Sequence, residues 1–183
     1  MQYNPDIHHR RSIRLKEYDY SQNGAYFVTV CAQNRECLFG NIVDRRMAMN
    51  DVGRIVAECW RKIPNHFVDA ELDEWVVMPN HIHGIILIGV GARHAAPLRN
   101  ELNHEARHAA PLRNESLPQS EQFGRPVPGS LSTIVRSFKS AATKQINEMR
   151  GAPSATVWQR NYYEHIIRDD IELNCIREYI ANN

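Results

Sequence analysis

Two strand-like segments separated by only two residues constrain the fold more than any other feature of this sequence. Leu72 to Met78 and His81 to Ile88 are rich in apolar and β-branched residues, and Pro79-Asn80 between them is typical of a tight turn. So short a connection joins strands that run antiparallel, because parallel strands need a crossover of about a dozen residues or more. The middle of the chain therefore predicts an antiparallel β-hairpin.

Apolar periodicity predicts further strands and helices on both sides of this hairpin. In chain order these are a strand at Ala25 to Ala32, a helix from Asn50 or Asp51 to Pro64, a helix capped by Ser130 and continuing past Ile146, a strand at Tyr162 to Arg168, and a helix from Asp169 and Asp170 to near Asn183. The order β-α-β-β-α-β-α predicts an α+β fold, a ferredoxin-like antiparallel sheet with an added C-terminal helix.

A repeat-bearing segment interrupts this pattern. The decapeptide ARHAAPLRNE occurs at 92–101 and again at 106–115, and the stretch 89–129 contains five prolines without sustained periodicity. With 183 residues, the chain has room for one domain, so we interpret residues 1–183 as a single domain interrupted by a flexible insertion at about 89–129. A solvated insertion is favoured over a DNA-contacting one, because polar segments of this kind commonly lack a packed core.

Composition excludes several classes of protein. The formal charge of +1 neither requires nor excludes a nucleic-acid partner. The four cysteines form no CxxC pair, which argues against a zinc knuckle and against a disulfide framework. The sequence has no apolar run of about 18 residues and no signal-peptide pattern, so we expect a soluble, cytoplasmic protein without a membrane partner.

The segment MPNHIHG, at 78–84, carries the clearest chemical pattern. His81 and His83 are two residues apart in a predicted strand and therefore project from the same face, where two imidazoles form half of a site for a divalent ion. Gly84 would let a ligand or a backbone approach this pair closely. The alternative is that the two histidines form only a polar face of the sheet. A metal site also needs a third donor from elsewhere in the chain.

The terminal helix offers that donor and a nucleophile. Tyr179 and Asn183 are four residues apart, so they lie on one stripe of a helix and can reach the same point. A tyrosine hydroxyl attacks a phosphate more readily when a divalent cation polarises that phosphate. Packing at the edge of an amphipathic helix is the alternative role for Tyr179.

Three blocks of the sequence together resemble the HUH-type single-tyrosine transposases, most closely the branch associated with repetitive extragenic palindromes (REP). They are VVMPNHIHGIILI at 76–88, GSLSTIVRSFKSAATKQIN at 129–147 and VWQRNYYEHIIRDDIELNCIREYIANN at 157–183. The resemblance covers essentially the whole chain except the insertion. It implies an HUH endonuclease fold, His81 and His83 as metal ligands, Tyr179 as nucleophile and Asn183 at the place of a third, amide-type ligand.

The resemblance also implies the reaction and its participants. Such enzymes use Mg²⁺ or Mn²⁺ to cut one strand of single-stranded or hairpin DNA, and they keep the 5′ phosphate on the tyrosine. Basic and aromatic side chains of this chain suit DNA contacts: Arg10, Arg11, Arg14, Arg136, Lys139, Lys144, Trp158, Gln159 and Arg160. For Trp158, Gln159 and Arg160, contact with a flipped base and plain packing remain equally open.

Three functional hypotheses follow. The leading one is a DNA nicking and joining enzyme, working as a monomer or a homodimer. A DNA-hairpin binding protein that keeps the fold but no longer cuts is the first alternative, and it predicts salt-sensitive binding without a covalent adduct. A structural metal site in an unrelated scaffold is the second, but such sites usually close with four protein ligands.

Overall fold

The computed structural model describes residues 20–89 and 127–183. Residues 90–126 of the predicted insertion lie outside the described residues, as do Arg10, Arg11 and Arg14. All four cysteines fall within the described ranges and are free thiols, as their spacing indicated. In this part of the chain, no helix combines the length and the apolar character needed to cross a membrane.

The described residues form six strands, four helices and one short 3-10 turn. In chain order these are β1 (Gly24–Cys31), the 3-10 turn (Gln33–Arg35), β2 (Gly40–Val43), β3 (Arg46–Met49), α1 (Asp51–Arg61), α2 (Ile63–His66), β4 (Ala70–Met78), β5 (His81–Ile88), α3 (Leu131–Arg150), β6 (Tyr163–Ile167) and α4 (Asp170–Ala181). Strands β4, β5, β1 and β6 form one antiparallel sheet in that order. The predicted ferredoxin-like α+β fold is confirmed, with β4 and β6 at the two edges.

Helices α1 and α3 cover one face of the sheet, where the larger hydrophobic core lies. The Asn50 side chain accepts a hydrogen bond from the Gly53 amide and begins α1, and Ser130 caps α3 in the same way. Gly151, in a left-handed conformation with φ of 59°, ends α3. The predicted N-caps at Asn50 and Ser130 are confirmed. The predicted end of the first helix at Pro64 is wrong, because α1 ends at Arg61 and Pro64 lies in the first turn of α2, where its missing amide hydrogen costs no helical hydrogen bond.

Helix α4 crosses the opposite face of the sheet. Asp169 begins it by accepting a hydrogen bond from the Glu172 amide at 2.8 Å. Ile180 is buried in a second, smaller apolar cluster with Phe27 and Ile85, and Leu173 and Ile176 pack against that cluster. The C-terminal helix therefore places its final turns over the face from which Phe27 and the β5 histidines project.

The β2–β3 hairpin was not predicted from the sequence. Its turn residues Asp44 and Arg45 both have positive φ, 48° and 61°, as a two-residue type I′ turn requires. The usual turn signal is Asn-Gly or Asp-Gly, and Asp-Arg lacks the glycine. Ile42 and Val43 are about half exposed, so the strands also lack the apolar and polar alternation that identifies a half-buried sheet.

Gly84 is needed for helix packing rather than for ligand access. A Cβ atom at Gly84 would lie 2.4 Å from the Trp60 ring of α1, on the face opposite to the histidines. The prediction that Gly84 admits a ligand beside the histidine pair is therefore wrong, because the group that approaches it is the Trp60 indole. The Trp60 side chain of α1 packs directly against the strand backbone at this point.

We expect Gly84→Ala to lower the free energy of unfolding by about 1 to 3 kcal/mol, the usual cost of overpacking a core. Urea unfolding followed by tryptophan fluorescence measures it. Gly24→Ala is the matched control, because its Cβ would meet only the Tyr26 ring at 3.6 Å, an ordinary contact. Equal losses in the two variants would contradict this account.

Candidate active site

His81 and His83 project together from β5 onto the face that α4 crosses. In the sheet register, His83 lies between Thr29 of β1 and Val76 of β4. The two Nε2 atoms are 2.9 Å apart, and the ring planes are nearly perpendicular, at 73°. The strand geometry thus brings one nitrogen of each imidazole to a common point, as the spacing predicted.

Neighbouring oxygen atoms hold the outer ring nitrogens. His81 Nδ1 lies 2.6 Å from Asn80 Oδ1, and the Asn80 amide nitrogen donates to the Arg35 carbonyl at 3.2 Å. Because a carbonyl oxygen only accepts, His81 carries its proton on Nδ1 and directs the Nε2 lone pair inward. Thr29 Oγ1 lies 2.8 Å from His83 Nδ1, and a hydroxyl can serve either tautomer of that ring.

The environment keeps both imidazoles neutral near pH 7. Burial is the main cause that lowers the pKa of His83, to about 4, and the proximity of His81 adds to it. Burial also lowers the pKa of His81, with a smaller contribution from the positive charge of Arg35. Neutral imidazoles retain the lone pairs with which histidine binds metal ions.

The spacing of the two Nε2 atoms fits a divalent ion. Two ligands at right angles on an octahedral ion, each at about 2.1 Å, are about 3.0 Å apart, and the observed separation is 2.9 Å. Within residues 20–89 and 127–183, no three His, Cys, Asp or Glu side chains group into a metal site. The pair fits an ion that takes its other ligands from amide, phosphate or water oxygens, as Mg²⁺ and Mn²⁺ do.

Tyr179 reaches the histidine pair from the last turn of α4. Its hydroxyl lies 3.2 Å from His83 Nε2, and its side chain is 53% exposed. Phe27 lies beneath both rings, with centroids 5.3 Å from His83 and 6.1 Å from Tyr179. A hydroxyl that is both accessible and next to two imidazole nitrogens is well placed to meet a phosphate at this point.

Asn183, the predicted third ligand, lies beyond the end of α4. The helix ends at Ala181, and the backbone N–H of Asn183 donates to the Ile180 carbonyl at 3.4 Å. The prediction that Asn183 lies on the same stripe as Tyr179 requires a helix that continues to residue 183. Because α4 ends at Ala181, Asn183 does not lie on that stripe. The structure contains no hydrogen bond from the Asn183 side chain to either histidine, and its role as a ligand stays a prediction.

Other tyrosines of the chain are rival candidates for the nucleophile: Tyr18, which lies outside the described residues, Tyr20, Tyr26, Tyr162 and Tyr163. Tyr20 and Tyr26 are buried in the core beneath α1 and α3, and Tyr162 packs against that core. Tyr163 of β6 is half exposed and lies on the same face as the histidines, directly opposite Thr29 of β1. The hydrogen bond to the histidine pair comes from Tyr179, which favours Tyr179 over Tyr163 as the candidate nucleophile.

Two predicted DNA-contacting residues serve the core instead. Trp158 is buried, with its ring 5.1 Å from that of Phe39 and 5.4 Å from that of Phe138, so it cannot stack on a base. Lys139 Nζ donates to the carbonyls of Gln159 and Arg160, at 2.6 and 3.2 Å. Burial also lowers the pKa of Lys139. The predictions for Trp158 and Lys139 are thereby corrected: both hold the segment before β6 against α3.

The other predicted DNA-contacting residues lie nearer the surface. Arg136, Lys144 and Arg160 are exposed. Gln159 is partly buried, and its backbone N–H donates to the Cys31 carbonyl at 2.9 Å. Helix α3, which carries Arg136 and Lys144, covers the face of the sheet opposite to the histidines. Contacts of these side chains with DNA stay predictions.

Comparison with known proteins identifies similar proteins by sequence and by structure. No protein-family model matches the chain. An uncharacterized protein from Haemophilus influenzae is 44% identical over 181 residues, covering 99% of this chain and 91% of that protein. A REP-associated tyrosine transposase, solved bound to a REP hairpin, aligns with 92% of this chain and 70% of its own, with a TM-score of 0.53 and 18% identity. At that identity the similarity establishes a shared fold.

Proposed function

Because this chain belongs to the same family as the Haemophilus influenzae protein and has the fold of the REP-associated tyrosine transposase, we propose that it nicks and joins DNA. Its substrate is single-stranded or hairpin DNA, and its cofactor is Mg²⁺ or Mn²⁺. The observation that carries the proposal is the 3.2 Å contact between the Tyr179 hydroxyl and His83 Nε2. It combines an accessible nucleophile with a nitrogen suited to hold a metal ion.

Tyr179 acts as the nucleophile in this proposal. Its hydroxyl oxygen attacks the phosphorus of one phosphodiester, and the bond from phosphorus to the 3′ oxygen breaks as the bond to tyrosine forms. The 5′ phosphate stays on Tyr179, the 3′ oxygen takes a proton, and the phenolic proton passes to solvent beside the half-exposed ring. Because one phosphate diester replaces another, the covalent intermediate conserves the bond energy needed for rejoining.

His81 and His83 hold the metal ion in this proposal, with Asn183 as a third protein ligand. When bound, the ion supplies charge neutralisation at the scissile phosphate. Asn80 and Thr29 orient the two imidazole rings through Nδ1. The buried ring of Phe27 closes the site from below, and the exposed side of Tyr179 is open to DNA.

Exposed basic residues provide the contacts with the DNA backbone. Arg136, Lys144 and Arg160 are exposed, and Arg35 adds a positive charge close to His81. Phosphate contacts of this kind set affinity and position rather than sequence preference. The proposed partner is supported by the REP hairpin bound to the transposase of the same fold.

A covalent adduct is the direct test. Purified protein is incubated with single-stranded hairpin DNA and Mg²⁺ or Mn²⁺, then analysed on a denaturing gel. We expect a band that carries both protein and the 5′-phosphate end of the cut strand, and a chelator should prevent it. Binding of the hairpin without any adduct, across metals and substrates, would favour a non-catalytic hairpin-binding protein.

A further inference from the structure

Polar contacts fasten α4 to both edges of the sheet. Near its first turn, Glu172 Oε1 lies 2.6 Å from His165 Nε2 on the edge strand β6. Near its last turn, Arg177 is bound to Asp73 on the opposite edge strand, β4. Ile180 is the only residue of the helix that is fully buried. The position of α4 on the sheet therefore depends on these two polar contacts as well as on apolar packing.

The contact between Arg177 and Asp73 has the geometry of a strong ion pair. Arg177 Nε lies 3.0 and 3.2 Å from the two carboxylate oxygens, and Nη2 lies 2.5 Å from Oδ2. The Asp73 side chain is only 12% exposed. Burial by itself raises the pKa of Asp73, but hydrogen bonds from Arg177 and from the Glu74 amide outweigh it and lower the pKa overall.

A β-bulge directs Asp73 toward α4. The register of β4 against β5 shifts between Leu72 and Trp75, so both of these side chains pack toward α1 and α3. The extra residue leaves Asp73 on the other face, where α4 lies. In a regular strand, Leu72 and Trp75 would point to opposite faces of the sheet, because they are three residues apart.

Helical geometry connects this ion pair to the active-site tyrosine. At about 100° per residue, Arg177 and Tyr179 lie on opposite flanks of the apolar stripe that faces the sheet. A roll of the helix that releases Arg177 from Asp73 therefore moves Tyr179 relative to His83. With side chains about 6 Å from the helix axis, a roll of about 10° moves the hydroxyl by about 1 Å.

We propose that Asp73 and Arg177 are positioning residues, whose ion pair sets the roll of α4 and holds the Tyr179 hydroxyl at His83. Neither residue touches the histidine pair, and their effect on the reaction passes through the helix. The catalytic part of this proposal rests on the proposed function. A displacement of about 1 Å in a reacting group lowers a reaction rate on the order of 100-fold.

Kinetics of adduct formation test the proposal. In Asp73→Asn and in Arg177→Gln, we expect the rate at saturating hairpin DNA to fall on the order of 100-fold, with DNA affinity changed less than about twofold. The double variant should be no slower than the single variants, because both remove the same contact. Glu58→Gln is the control, since it removes an exposed ion pair with Lys62 on α1. Additive losses, or a loss of DNA affinity alone, would overturn the proposal.

Hydrogen exchange tests the positioning without any DNA or metal. In Asp73→Asn, we expect the amides of α4 to exchange at least about tenfold faster than in the parent protein, while those of β1 and β5 keep their rates. Unchanged exchange in α4 would overturn the proposal even if adduct formation slowed. If the parent protein forms no adduct at all, the proposed function fails, and the exchange result still decides whether the ion pair holds the helix.

Discussion

Tyr179→Phe should eliminate the covalent adduct while the protein stays folded and still binds hairpin DNA. The change removes one oxygen, which is hydrogen-bonded to His83 Nε2, and keeps a ring that packs against Phe27. Loss of a covalent nucleophile typically lowers a rate by about 10⁴-fold or more. Denaturing gels quantify the adduct, and a mobility-shift titration should give a dissociation constant within about twofold of the parent.

Tyr163→Phe is the matched control for this experiment. Tyr163 lies on the same face, is about as exposed as Tyr179, and has its ring centroid 6.3 Å from that of Phe27. It makes no hydrogen bond to the histidine pair, so the variant should keep full activity. An adduct that survives Tyr179→Phe and disappears with Tyr163→Phe would reassign the nucleophile to β6.

Much of the fold follows from local sequence signals. The two-residue link between β4 and β5 fixed their pairing, and the caps at Asn50, Ser130 and Asp169 fixed where three helices begin. These signals involve only a few neighbouring residues and can therefore be recognised in a single sequence. The β2–β3 hairpin was missed because its turn and its exposed strands carry no such local signal.

The active site could be predicted only in part from the sequence. The spacing of residues along a strand predicts which face of the sheet they share, but not which residues of other strands lie next to them. The two-residue spacing of the histidines predicted their convergence, and a 2.9 Å separation of the Nε2 atoms confirms it. Thr29 is 54 residues away from His83 in sequence and meets it only through the register of β1 against β5. Asn80, in contrast, is adjacent to His81 in the sequence, so its side-chain amide is a signal for the 2.6 Å contact with His81 that one sequence does carry.

Burial accounts for the residues whose roles were misassigned. Trp158, Lys139 and Gly84 each carry a feature typical of ligand sites, namely an aromatic ring, a cation and a missing side chain. In the structure Gly84 makes room for the Trp60 indole of α1 against the sheet, and Trp158 and Lys139 hold the segment before β6 against α3. A single sequence gives periodicity along a segment, but it does not show which segment lies above another, and that arrangement decides these roles.

Replacing either histidine of the pair should abolish metal binding and adduct formation together. His81→Gln and His83→Gln each remove one of two imidazole ligands, and we expect the Mn²⁺ affinity to fall at least about 100-fold. Titration calorimetry or Mn²⁺ electron paramagnetic resonance measures the affinity without DNA. His66→Gln is the control, because His66 is exposed on α2 and remote from the pair.

Variants of Thr29 distinguish the loss of the His83 ligand from the loss of its orientation. Thr29→Val removes the hydroxyl 2.8 Å from His83 Nδ1 but leaves both imidazoles in place, so Mn²⁺ affinity should fall by about 10- to 100-fold. Thr29→Ser keeps the hydroxyl and should retain most of that affinity. Undiminished Mn²⁺ binding in His83→Gln would show that His83 is not a ligand of the ion. Equal losses in Thr29→Val and Thr29→Ser would show that packing, rather than the hydrogen bond, orients His83.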